Sequence, residues 1–143
     1  MLDHTDKKIV EALQKNGRIT MKELGEKVHL TGQAAASRVV KLEEAGVING
    51  YTIQLNHQKL GYPVHSFINI FIKGIDHHPY LSFLEAQKEY IIHNYKISGE
   101  SCYLLECRFP STDELDLFLM KLNKYVNYQL SIVIKETTKK DIY

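Results

Sequence analysis

The first fifty residues carry apolar side chains at helical spacing, which predicts three short helices. Each predicted helix begins at a capping residue: Asp3 or Thr5 before the first, Thr20 before the second and Thr31 before the third. Three apolar stripes follow these caps, namely Ile9, Val10 and Leu13, then Met21, Leu24 and Val28, then Ala35, Val39 and Leu42. Three amphipathic helices in so short a segment predict a compact bundle.

After Gly46 the hydrophobic pattern changes from helical to alternating. Apolar residues at every second position from Tyr51 to Leu55 are typical of a strand. We expect this linker strand, residues 51–61, to leave the bundle and to separate two domains. The predicted domains are 1–50 and 62–143.

The second domain reads as strand, helix, strand, strand, helix, strand. The predicted strands cover 64–73, 90–97, 101–109 and 126–135, and the helices begin near Pro79 and Ser111. This order predicts a ferredoxin-like βαββαβ domain with both helices on one side of an antiparallel sheet. Together with the N-terminal bundle, which we interpret as a winged-type helix-turn-helix, the predicted fold class is α+β. The other sheet face would carry Phe67 and Phe71, and an uncovered apolar face of this kind usually meets another copy of the chain.

Composition excludes several classes of protein. A chain of 143 residues with 44% hydrophobic and 24% charged residues is a globular protein of one domain or two small ones, too short for a large multidomain enzyme. Its apolar stretches fall short of the roughly 18 residues that a membrane-spanning helix needs. The first residues lack a basic segment followed by an apolar run, so we expect a cytoplasmic protein.

Charge distribution says more than the net charge of +1. Residues 30–42 contain basic side chains and no acidic one, and the segment has the shape of the second helix of a helix-turn-helix. Its predicted outward side chains suit a DNA groove, because Gln and Arg bond base edges, Ser is a short donor or acceptor, Lys meets phosphate and Ala permits close approach. These residues are Gln33, Ala34, Ser37, Arg38 and Lys41. The alternative is a solvated helix face without a ligand.

The sequence contains few residues whose spacing is typical of a metal site or a catalytic site. The seven histidines lack the spacing of a metal site, and no glycine-rich phosphate loop is present. Cys102 or Cys107 with His93 on an adjacent strand is the one candidate for nucleophilic catalysis, but a thiol in a buried strand is typically an inert core residue. We therefore expect no enzyme, no metal and no cofactor.

Several segments resemble the Lrp/AsnC (leucine-responsive, feast/famine) transcription regulators. The similarity covers almost the whole chain. It rests on Leu2-Asp3, on Asn16-Gly17-Arg18, on the specific string from Arg38 to Tyr51, and on Tyr95-Lys96-Ile97-Ser98-Gly99 followed by Tyr103-Leu104-Leu105.

The resemblance implies a bacterial or archaeal regulator that binds double-stranded DNA and dimerises through its C-terminal sheets. Family dimers often assemble into octamers around which DNA bends, which implies a nucleoid-associated protein. The recognition helix would begin at Thr31 and run to Leu42. The family commonly binds an amino acid between dimers, and this effector site, carried over, comprises Gly99, Glu100, Ser101, Cys102 and Tyr103.

Three residues depart from the family pattern. His29 stands in the turn where glycine is usual, and positive φ is costly for other residues. Gly25 replaces an alanine, so we expect a locally weaker second helix. Cys102 replaces an aspartate suited to a ligand's ammonium group, which leaves three possibilities: Glu100 substitutes, the ligand differs, or there is none.

The favoured interpretation is therefore an amino-acid-responsive regulator that places two recognition helices per dimer in successive major grooves, roughly 34–36 Å apart. One alternative is an architectural, nucleoid-type protein that wraps DNA without an effector. Another is a small-molecule-binding or enzymatic βαββαβ domain with an incidental helical cap.

Overall fold

A computed structural model of the chain describes residues 1–138. The chain forms two compact units, Met1–Gln54 and Leu55–Thr137. The division falls inside the segment predicted as a linker.

The first unit is the three-helix bundle that the apolar stripes predict. Its helices are α1 (His4–Lys15), α2 (Met21–Val28) and α3 (Gly32–Glu44). The predicted caps Thr20 and Thr31 each accept a hydrogen bond from the backbone N–H three residues on, and Asp3 caps α1. Helical spacing places one stripe of each helix in a common core, formed by Ile9, Ile19, Leu24, Val28, Ala35, Val39 and Leu42. Within residues 1–54 the regular elements are these helices, without a wing strand.

The turn between α2 and α3 explains why two residues, His29 and Gly25, depart from the family pattern. His29 adopts the left-handed conformation with φ 60° and ψ 43°, as its position in the turn predicts. The backbone of Gly25 lies so close to the turn that an added Cβ would be 2.5 Å from the carbonyl oxygen of Leu30. The close packing of α2 against the turn therefore requires a glycine at position 25, a reason different from the expected local weakening of the helix.

The predicted linker strand is absent: within residues 49–63 the structure has turns and irregular backbone. Alternation fixes which side chains share a face, but a strand also needs a hydrogen-bonding partner, and this segment has none within the described chain. Ile53 is consequently 73% exposed.

The second unit has the predicted βαββαβ order. Its elements are β1 (Val64–Phe71), α4 (His78–Ala86), β2 (Ile91–Lys96), β3 (Tyr103–Phe109), α5 (Thr112–Leu122) and β4 (Asn127–Ile132), with a short 3₁₀ turn at Lys88–Tyr90. The strands are antiparallel in the order β2-β3-β1-β4, which confirms the ferredoxin-like arrangement. β4 ends earlier than predicted, so Ile134, expected on its apolar face, is 96% exposed.

Alternate residues of β1 and β3 build the core against α4 and α5. Ile68, Ile70 and Leu105 point to the helices and are fully buried, and the rings of Phe109 and Phe118 pack beside them in a tilted arrangement, with 5.1 Å between their centres. The odd-numbered residues of β1 point the other way. Phe67 and Phe71 are therefore half-buried on the uncovered face, as the alternation predicts.

Candidate nucleic-acid interface and effector loop

Helix α3 presents a polar row to solvent. Gln33, Ser37 and Lys41 are exposed at four-residue intervals along the helix. The buried side of α3 is formed by Ala35, Val39 and Leu42. Ala34 is half-buried beside this row. The structure therefore groups these four predicted residues along one side of α3.

Thr31 is used by the helix itself. Its hydroxyl oxygen accepts a hydrogen bond from the backbone N–H of Ala34 at 3.1 Å. The side chain therefore caps the end of α3, and any DNA contact by Thr31 must come from the remaining capacity of the hydroxyl group.

Arg38 is bound to the beginning of α1. Its Nη1 donates to Asp3 Oδ2 at 2.6 Å and to Asp6 Oδ1 at 3.2 Å. These two hydrogen bonds raise the pKa of Arg38. A hydrogen bond from the backbone of Asp6, together with the one from Arg38, lowers the pKa of Asp3. The structure thus separates Arg38, which has carboxylate partners, from the other predicted DNA-contacting residues.

The predicted effector residues form the loop between β2 and β3. Gly99 has φ 106°, a conformation that favours glycine, and Glu100 beside it is exposed. Ser101 donates its hydroxyl proton to Asn69 Oδ1 at 3.1 Å. Cys102 is half-buried, and its backbone N–H donates to the carbonyl of Ile70 at 2.7 Å. The loop is consequently anchored at one end to β1, with the Glu100 carboxylate directed to solvent.

Tyr103 differs from its loop neighbours because it is buried. Its hydroxyl group lies 3.0 Å from Nδ1 of His77, and its ring packs 5.1 Å from that of Tyr80. Burial raises the pKa of Tyr80, whose hydroxyl group donates to Asn94 Oδ1 at 2.9 Å. Nothing in the sequence spacing of the two residues indicates that the start of α4 brings His77 to Tyr103.

A polar cluster that the sequence analysis missed lies on the uncovered sheet face. Glu106 Oε2 is 2.6 Å from Nε2 of His65, and its Oε1 is 3.2 Å from Nδ1 of His93. Partial burial raises the pKa of Glu106, but the hydrogen bonds from the two histidines outweigh it and hold the pKa below its usual range. Arg108 Nη2 lies 3.3 Å from Nδ1 of His65. The Glu106 carboxylate therefore contacts two histidines, and Arg108 joins the cluster through His65.

The same register removes the candidate thiol–histidine pair for Cys107. His93 pairs with Glu106 on the uncovered face, whereas Cys107 is buried on the opposite face. Burial raises the pKa of the Cys107 thiol to about 12, so the reactive thiolate is suppressed. Among residues 1–138 no three His, Cys, Asp or Glu side chains are placed to hold a metal ion.

Two open clefts occur in the second unit, of about 530 and 420 Å³. The first lies between α4 and β2, and the second lies beside Tyr62 and Arg108. Neither is lined by the predicted effector residues. In the described chain, no helix has the length and apolar character needed to cross a membrane.

Comparisons with known proteins cover both units. Residues 2–49 match the family described as winged helix-turn-helix DNA-binding, and residues 67–142 match the Lrp/AsnC ligand binding domain. The chain is 59% identical over 134 residues to the HTH-type transcriptional regulator LrpA of Bacillus subtilis, a match that covers 94% of this chain and 98% of that protein.

Two solved structures extend the similarity to the fold. The structure of B. subtilis LrpC has a TM-score of 0.91 at 31% identity and covers 98% of this chain and 99% of its own. A transcriptional regulator of Neisseria meningitidis, solved as a complex with L-methionine, has a TM-score of 0.90 at 28% identity and covers 97% of this chain and 94% of its own.

Proposed function

The chain belongs to the Lrp/AsnC family and is a DNA-binding transcription regulator; on that premise we propose that it reads double-stranded DNA with α3, as a homo-oligomer, under the control of an amino acid. The observation that carries the DNA contact is the exposed row Gln33, Ser37 and Lys41 on a helix segment without an acidic residue. Gln33 suits an adenine edge, Ser37 a base or phosphate, and Lys41 a phosphate. Ala34 keeps the helix slim enough to enter the groove.

We propose that a second copy of the chain covers the free sheet face. Half-buried aromatic side chains, Phe67 and Phe71, lie there beside the cluster around Glu106. An apolar face that also carries both signs of charge can be self-complementary about a two-fold axis. Such a dimer presents two α3 helices, and further assembly to an octamer would bend the bound DNA.

For the effector we propose an amino acid at the loop of residues 99–103. The support is the L-methionine complex of the N. meningitidis relative and the exposed carboxylate of Glu100. Because a neutral thiol at Cys102 supplies no charge for an ammonium group, Glu100 is the acidic group that this loop offers. Ser101 and the backbone of Gly99 supply further polar groups.

The remaining assignments follow from this role. We propose that the chain catalyses no reaction and uses no metal or other cofactor, so that the amino acid is its single small-molecule ligand. A regulator of this kind acts in the cytoplasm, associated with the nucleoid.

The test is a salt series of DNA retardation with a pool of genomic fragments, with and without a mixture of the twenty amino acids. Retention of particular fragments, altered by an amino acid in the native protein and unaltered in Glu100→Gln, supports the full proposal. Equal retention of all fragments without an amino-acid response supports the architectural alternative. Absence of retardation at low salt refutes DNA binding.

Sedimentation equilibrium tests the oligomer separately. Phe67→Asp places a charge in the proposed dimer face and should release monomers, whereas Leu117→Asp changes an exposed side chain on α5 and is the matched control for an added surface charge. A monomeric native protein would contradict the proposed dimer.

A further inference from the structure

Arg38 completes the cap of α1. In this cap each carboxylate uses one oxygen within the helix end: Asp3 Oδ1 accepts from the N–H of Asp6 at 2.8 Å, and Asp6 Oδ2 accepts from the N–H of Asp3 at 3.2 Å. The second oxygen of each carboxylate accepts from Nη1 of Arg38. All four carboxylate oxygens are thus in use, and the guanidinium joins α3 to the end of α1 across 32 and 35 positions of sequence.

The charges around Arg38 disfavour a phosphate contact. Two carboxylates face one guanidinium, so this group of three side chains carries a net charge of −1 at neutral pH. A phosphate that approached Arg38 would meet that negative charge, and Arg38 would have to leave both partners to bind it. Lys41, one turn further along α3, is exposed and forms no ion pair among residues 1–138.

We infer that Arg38 is a positioning residue: it clamps the recognition helix α3 to the start of α1 and does not itself contact DNA. The inference rests on the proposed function, because it assumes that α3 reads DNA. It replaces the expectation from the sequence that Arg38 bonds guanine or phosphate. Asp3 and Asp6 then support DNA reading indirectly, by holding Arg38, although their negative charge disfavours contact with phosphate.

The clamp has a specific mechanical role. Base readout requires each side chain of α3 to meet a particular base edge, so it depends on the angle of the helix, whereas phosphate attraction tolerates small rotations. The buried stripe of Val39 and Leu42 packs one side of α3 into the bundle, and the clamp adds a second restraint through Arg38, between α3 and the start of α1. Loss of the clamp should therefore reduce discrimination between DNA sequences more than general affinity.

The experiment compares full-length variants on one selected fragment and on random DNA at several salt concentrations. The double variant Asp3→Asn/Asp6→Asn leaves the Arg38 cation in place but removes both of its charged partners. Arg38→Gln removes the cation, and Lys41→Gln is the matched control that removes a phosphate-binding cation from the same helix. Circular dichroism establishes that each variant is folded at the assay temperature.

If Arg38 is a clamp, the double variant and Arg38→Gln each weaken binding to the selected fragment by about tenfold, since a dimer uses the helix twice, and lower the ratio of selected to random affinity. In Arg38→Gln the salt slope stays at the native value; the double variant frees the Arg38 cation, so its readout is the ratio of selected to random affinity alone. Their combination is no weaker than either alone. Lys41→Gln instead lowers the slope by about 0.9 for each phosphate that the native lysine neutralises, and it weakens binding to both DNAs alike.

Arg38→Lys guards against a misfolded Arg38→Gln. A lysine keeps the charge for a phosphate but lacks the planar fork, so the clamp hypothesis expects weaker selectivity with an unchanged slope. The inference is overturned if the double variant keeps the native ratio of selected to random affinity, or if Arg38→Gln lowers the salt slope. Native protein that retards no DNA would instead refute the proposed function.

Discussion

Replacing His29 by glycine should stabilise the helical unit. His29 holds φ at 60° and ψ at 43°, and its side chain is exposed, so the substitution removes strain and little packing. The left-handed conformation costs a residue with a Cβ about 1–2 kcal/mol. Glycine loses about 0.5–1 kcal/mol of this gain because its unfolded chain is more flexible. The expected net stabilisation is about 0.5–1 kcal/mol.

The assay must resolve the helical unit, because two units can unfold separately. Hydrogen exchange of the backbone amides in α2 and α3 of the full-length chain, combined with urea unfolding followed by circular dichroism, measures the free energy of this unit directly. A gain of this size corresponds to a rise of about 4–9 °C in melting temperature for a unit of fifty-odd residues. DNA retardation should be unchanged, since the turn keeps its geometry.

His29→Ala is the control, because it also removes the imidazole but keeps the left-handed cost. It should be no more stable than the native protein. If His29→Ala proved as stable as His29→Gly, the strain argument would be refuted, and the gain would have to come from loss of the imidazole itself.

Three further predictions concern the turn, the sheet face and the cysteines. Gly25→Ala should destabilise the bundle by about 1–3 kcal/mol in thermal unfolding, because its Cβ would lie 2.5 Å from the Leu30 carbonyl oxygen; unchanged stability would show that the turn yields freely. The lowered pKa of Glu106 gives stability that is present above the unfolded pKa of about 4.3 and is lost as the pH falls through the lower folded value. The stability of Glu106→Gln in urea unfolding should therefore differ from that of the native protein at pH 7, and the difference should shrink as the pH falls below the unfolded pKa; a constant difference would contradict this linkage. Native Cys107 should resist iodoacetamide at pH 8 while half-buried Cys102 reacts first, as mass spectrometry of the digested protein will show; equal labelling would mean that the sheet opens readily.

Local features of the fold were predictable from the sequence. The cap at Thr31 depends on an N–H three residues away, and the parity of Phe67 and Phe71 follows from the period of a strand. Both are decided by a few neighbouring residues, so the pattern of the chain is sufficient. The βαββαβ order was predictable because each strand and each helix has its own local pattern of apolar residues.

Features that depend on distant partners were not predictable. The contact of Arg38 with Asp3 joins residues 35 positions apart, and helical spacing alone shows only that Arg38 points away from the core. His93 reaches Glu106 through a register shift in β2 that no hydrophobic pattern encodes. The expected linker strand was wrong for the same reason, since the alternation of residues 51–55 does not show whether a hydrogen-bonding partner is present.

The position of the loop at residues 98–101 has a consequence for how a signal can travel. One end of the loop is tied to the centre of the sheet, because Cys102 donates to the carbonyl of Ile70 in β1. The other end continues β2, an edge strand bonded to β3 alone. The strand at one end of the loop contact, β1, has a hydrogen-bonded neighbour on each side, whereas β2 at the other end has one neighbour. We therefore expect a ligand bound at the loop to shift β2 more than β1, which has a neighbouring strand on each side.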